Sequence, residues 1–168
     1  MGQSIIIGVM GGGKASPAIE ATAYDLGRRI ALEGWVLLNG GRRAGVMEAS
    51  ARGAADNGGL TVGILPDDTT VDASSHIKIP IVTGMGNARN VINVLSSHVV
   101  VACSGGAGTV SEVALALKCG KTVILLNFDL EKTFAEYRDS GHLLTADTSE
   151  AAIRIIKNVC NRDETNKR

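Results

Sequence analysis

Short apolar runs alternate along this chain with longer stretches whose apolar residues recur every three or four positions, and glycines mark most junctions. The short runs cover 4–10, 35–38, 60–65, 77–82, 99–103, 122–126 and 142–145, and their length and β-branched content read as strands. The longer stretches, 17–33, 44–57, 87–97, 109–119, 131–139 and 149–159, read as helices. Ser16 followed by Pro17 supplies a cap and a first-turn proline for the first helix, and Gly34 stops it. Pro80 inside the fourth apolar run predicts an edge or irregular strand. The polar stretch 67–75 reads as a loop. Strand–helix alternation predicts one α/β domain over residues 1–160, a Rossmann-like, doubly wound, mostly parallel sheet with helices on both faces. The charged residues 161–168 read as a frayed tail.

Composition sharpens that picture. Only 3% of the residues are aromatic against 45% hydrophobic, so the core is aliphatic, as a parallel sheet covered on both faces requires. The formal net charge is zero, with no basic stripe, which argues against a nucleic-acid polymer as partner. The apolar run at the N-terminus is too short for a membrane span and lacks a positive leader. Three widely spaced cysteines, Cys103, Cys119 and Cys160, point to reduced thiols in the cytoplasm. His76, His98 and His142 share no metal-ligand spacing, so no metal site is expected.

Four glycine clusters fall at predicted strand ends, where open α/β sheets bind ligands. The sharpest is Ser104, Gly105, Gly106, Gly108 and Thr109, between the 99–103 run and a helix. Unpaired amides at a helix start, together with its dipole, favour a phosphate there. The first cluster, Gly11, Gly12, Gly13 and Lys14, nearly matches a P-loop, but Ala15 stands where a Mg²⁺-binding hydroxyl is needed. Lys14 is either a phosphate contact or a solvated charge. The second cluster is Gly40, Gly41 and Arg42, and one of Arg42 and Arg43 is expected to face an anion. The third is Gly84 and Met85, leading to Arg89 and Asn90 at the head of an apolar helix. Arg89 there needs an anionic partner, either Glu112 or a ligand. Glu112, three residues after Thr109, completes a capping box, or else serves glycosidic chemistry beside the phosphate loop.

The segments GGRRAGVMEASARGA (40–54) and SGGAGTVSE (104–112) resemble the Lonely guy family of phosphoribohydrolases, long labelled lysine decarboxylase-like. The resemblance covers 5–126. It implies a Rossmann-like fold, a homo-oligomer (dimer or tetramer) and a nucleotide phosphate held by the glycine loops. It also implies that Arg89 and Glu112 occupy the family's catalytic positions. Ser104 replaces that family's proline and Asn90 its lysine. With the GMG and ARN triplets, these departures are similar to a sister branch that includes the molybdenum cofactor carrier proteins. The implied function is binding of a nucleotide-like or molybdenum-cofactor-like molecule, with no other cofactor required. The alternative is hydrolysis of the N-glycosidic bond of a nucleoside 5′-monophosphate.

Overall fold

A computed structural model describes residues 4–130 and 132–165 of the chain. Seven strands form one sheet: β1 (Ile6–Met10), β2 (Val36–Asn39), β3 (Thr61–Leu65), β4 (Ile79–Val82), β5 (Val99–Cys103), β6 (Thr122–Leu126) and β7 (Leu143–Ala146). Their order across the sheet is β4-β3-β2-β1-β5-β6-β7. Every neighbouring pair is parallel. The chain therefore winds outward from β1 in one direction, returns, and winds outward from β5 in the other. The switch point lies between β1 and β5, and a crevice opens there beyond the carboxyl ends.

The period-two alternation of each strand feeds two separate cores. On β5, Val99, Val101 and Cys103 point to one face, where Leu26 and Ile30 of α1 (Pro17–Leu32), Val46 of α2 (Gly45–Ala55) and Ile156 of α6 (Ser149–Thr165) pack. Val100 and Ala102 point to the other. There they meet Val94 of α3 (Asn90–Ser96) and Val113 and Ala116 of α4 (Ala107–Lys118). The short α5 (Ala135–Asp139) contributes Tyr137 to that second core. Aliphatic side chains fill both layers, as the composition demanded.

Local signals explain most boundaries. The Ser16 hydroxyl accepts from the Ile19 amide at the start of α1, behind Pro17. At its end Gly34 adopts φ +71°, the Gly34 amide donates to the Ala31 carbonyl and the Trp35 amide to Ile30. This left-handed stop satisfies carbonyls that the helix cannot. α1 and α2 cross so closely that a Cβ on Gly27 would overlap the Ser50 carbonyl oxygen, and one on Gly53 the Tyr24 carbonyl oxygen.

Some expectations shift. The predicted helix 87–97 is a 3₁₀ turn, Gly86–Arg89, followed by α3, because Gly84 and Gly86 at positive φ set a tight entry. α4 begins at Ala107, ahead of the expected Thr109. α6 continues to Thr165 rather than stopping near Val159, since residues 160–165 contain no glycine or proline to break it. Residues 166–168 of the expected tail, and Glu131 of the expected helix 131–139, lie outside the described residues. β4 is the exposed edge strand that Pro80 predicted.

The α1–α2 crossing yields a direct test. Replacing Gly27 by Ala must push the helices apart, and chemical denaturation should show a loss of about 1–3 kcal/mol, the usual penalty for overpacking.

Candidate functional site

The crevice at the switch point is a cavity of about 290 Å³. Main chain from three strand ends builds it, and Gly12 is the hub. Its N–H donates to the Ser104 carbonyl after β5 at 3.3 Å, and its carbonyl accepts from the Val46 N–H in α2 at 3.0 Å. Side chains at this crossing would collide. A Cβ on Gly105 would overlap the Thr109 hydroxyl oxygen, and one on Gly45 the Gly12 carbonyl oxygen. Gly106 and Gly108 differ: a Cβ on either would meet nothing within 4 Å, yet both line the cavity. Their missing side chains leave helix backbone bare toward the crevice.

The α4 ladder begins where the Val110 N–H reaches the Gly106 carbonyl at 3.1 Å. The N–H groups of Ala107, Gly108 and Thr109 lie ahead of it, where a helix offers no carbonyls of its own. The residue capping this helix is Gly106, with no side-chain cap, and Thr109 is buried within the first turn. The capping-box explanation of Glu112 therefore fails: its carboxylate turns into the cavity instead of back to a cap.

Glu112 is only 7% exposed. Its Oε1 accepts from Asn93 Nδ2 at 2.9 Å and stands 3.9 Å from a terminal nitrogen of Arg89. Arg89 reaches this position across Gly40, where a Cβ would stand 2.5 Å from the guanidinium. Burial pushes the Glu112 carboxyl above the usual range, opposed by the Asn93 hydrogen bond and by Arg89. Burial likewise lowers Arg89, opposed by Glu112. At 3.9 Å neither charge is fully compensated by the other. Arg89 Nε is buried without a hydrogen-bond partner.

Among the residues singled out in the sequence, Gly11, Gly12, Gly13, Gly40, Arg89, Asn90, Gly106, Gly108, Thr109 and Glu112 line one cavity. The others stand outside it. Lys14 is exposed. One terminal nitrogen of Arg42 donates to both carboxylate oxygens of Asp67, at 2.8 and 3.0 Å, Arg43 reaches the Ala73 carbonyl, and neither arginine lines the crevice. Gly41 packs on Gly63 and Leu65. Gly84 and Met85 are exposed, in a segment tied down by Gly84 N–H to Asp67 and Gly86 N–H to Pro66. The Ser104 carbonyl accepts from the Gly12 N–H, and Gly105 packs against Gly12 and Thr109. The cavity also contains Val9, Met10, Met47 and Asn87, which periodicity assigned to core or helix. Asn93 was missed as well, although a lone amide within the apolar run VINVL is the kind of signal that marks it.

Among the described residues no group of three His, Cys, Asp or Glu side chains is placed to hold a metal ion, and no helix is long and apolar enough to cross a membrane. His98 accepts from the Ile6 amide, and His76 pairs with Glu48 at 3.0 Å, both away from the cavity. Burial raises the Cys103 thiol to about 12, which marks it as inert core.

Comparison with known proteins places this geometry. The profile of the SLOG cluster4 family matches residues 4–153. The chain is 52% identical to the molybdenum cofactor binding protein from the phototrophic bacterium Rippkaea orientalis, covering 94% of this chain and 98% of that one, with a TM-score of 0.89. It is 43% identical to the molybdenum cofactor carrier protein of Chlamydomonas reinhardtii, covering 95% and 99%, with a TM-score of 0.87. Over 94 residues it is 33% identical to a cytokinin riboside 5′-monophosphate phosphoribohydrolase of Rhodococcoides fascians. That match spans 54% of this chain and 47% of the relative, just under half its length.

The buried carboxylate makes a signed prediction. A group whose folded value lies above its unfolded one, about 4.3 for glutamate, loses stability as pH rises through that window. Urea denaturation between about pH 4 and pH 8 should show wild type losing stability relative to Glu112→Gln as pH rises. Parallel profiles would mean that Glu112 ionises as freely as in the unfolded chain.

Proposed function

This chain belongs to the SLOG cluster4 family, and on that footing we propose that it binds a phosphorylated small molecule of nucleotide or molybdenum-cofactor type without transforming it. The observation that carries the reading is the bare helix start of α4. Gly106 and Gly108 leave its leading amides open to a cavity that also holds Arg89. A phosphate at those amides gains the helix dipole and, from Arg89, a charge-assisted hydrogen bond. The body of the ligand then lies over Met10, Met47 and Gly40, toward Glu112. Similarity along nearly the whole chain to molybdenum cofactor binding and carrier proteins supports such a cargo. The cavity, close to 300 Å³, suits one compact ligand. The free thiols Cys103 and Cys119 fit a reducing, cytoplasmic setting for this role.

A second reading rests on Arg89 and Glu112 facing each other within the cavity. In a nucleoside 5′-monophosphate phosphoribohydrolase, Glu112 stabilises the cation at C1′ as the glycosidic bond breaks. Water then adds at C1′, and a proton leaves with the base. The partial likeness to the Rhodococcoides enzyme supports it. Against it stands Asn90, where the resembling hydrolase motif has a lysine. Its amide donates to the Ser111 hydroxyl at 3.2 Å, which in turn donates to the Gly108 carbonyl. That position braces the phosphate loop and supplies no cation.

Calorimetry with AMP, paired with chromatography for free adenine, separates the readings. Saturable binding without adenine is expected. Arg89→Ala should weaken it about tenfold to a hundredfold, the value of one charge-assisted hydrogen bond. Adenine release that vanishes in Glu112→Gln would establish the hydrolase.

We also propose that the protein is a homo-oligomer, a dimer or tetramer. Ile79 and Ile81 of β4 pair with Val62 and Ile64 and continue the sheet face that α3 covers further in. Both are more than 40% exposed, as are Met85 and Leu95, with Val91 close behind. Pro80, which has no N–H, blunts edge-to-edge pairing, so a second copy would pack on this face. Sedimentation should show a dimer or tetramer, and Leu95→Glu should shift it toward monomer.

A further inference from the structure

Asn93, on α3, is a fully buried amide hydrogen-bonded to one of the cavity's charges, at 0% exposure. Its Nδ2 donates to Glu112 Oε1 at 2.9 Å. Its own Oδ1 is buried with no hydrogen-bond partner. Arg89 lies one helical turn earlier, near the same Glu112 oxygen, with its Nε–H also buried and unpartnered. An orphan acceptor and an orphan donor, four residues apart beside one carboxylate, make an incomplete network. Buried groups left this way are costly in a finished core. They are expected where a second arrangement completes the set.

We propose that Asn93 is the positioning residue of this site, aiming the Glu112 carboxylate into the cavity and offering Arg89 a seat when that arginine turns to a bound anion. The inference rests on the proposed phosphomonoester site, because the ligand is what turns Arg89. One amide serves both roles because it presents a donor to the carboxylate and an acceptor to the guanidinium. An apolar residue of similar volume would fill the space and provide neither. The charged groups that bear on this cluster are Glu112 itself from α4 and Arg89 from the 3₁₀ turn. Arg42 and Asp67 act on Arg89 from beyond it.

The test is titration of the Glu112 side-chain carbon by NMR in ligand-free wild type, Asn93→Leu and Asn93→Asp. The midpoint should rise in Asn93→Leu, which removes the donor, and rise further in Asn93→Asp, which sets a second acid against the first. A packing role alone would lower the melting temperature and leave these midpoints where they are, which would overturn the proposal. AMP affinity is measured on the same proteins. Asn93→Leu should bind at least tenfold more weakly than wild type, and the pH midpoint of its affinity should move with that of Glu112. Equal affinities and equal profiles would also overturn it. If wild type fails to bind AMP while the carbon midpoints still shift in the expected order, the phosphomonoester reading falls and the hold of Asn93 on Glu112 stands.

Discussion

One residue ties together the carboxyl edge of the central strands. Gly12 follows β1 at the centre of the sheet, and its N–H and carbonyl are tied to the loop after β5 and to the head of α2. The first bond crosses the place where the winding reverses, and the second ties the same residue to the β2 side of the sheet. A parallel sheet leaves a gap there, because the helices on either side of the switch point leave on opposite faces. In most of the fold, aliphatic side chains fill such spaces. Here backbone meets backbone, Gly12 against Gly105 and Gly45, and the space left over becomes the cavity.

The two charges in that cavity cost the fold stability. Burial works against Glu112 and Arg89 alike, and at 3.9 Å they relieve each other incompletely. A closer pair would be satisfied and of little use to a ligand. A wider one would be too costly to bury. Asn93 moderates the balance from behind, hydrogen-bonding the acid without neutralising the base. Uncompensated polarity sits beside the leading amides of α4, which the helix itself leaves unpaired.

Fold and site were unequally legible. The alternating runs located all seven strands, and the glycines after β1, β2 and β5 identified most of the cavity's main chain. The order of the sheet was not legible, because parallel pairing leaves no local mark on either strand. Nor was the fate of the arginines. Arg42 and Arg89 each follow a glycine cluster, but Asp67, on a loop 25 residues away, captures Arg42, while the gap over Gly40 admits Arg89. Thr109 and Glu112 have the spacing of a capping box, yet the helix starts at Ala107, so the box never forms.

Local patterns were thus sufficient for what depends on near neighbours. Hydrophobic period settles strand or helix, a capping serine and a glycine settle where α1 starts and stops, and the aliphatic composition implies two covered faces. Placement of charge was decided only in three dimensions. Whether an arginine finds an acid, whether a carboxylate caps a helix or enters a cavity, and whether a buried amide is completed all depend on residues far away in the chain. Those contacts exist only after the sheet has brought β1 and β5 side by side.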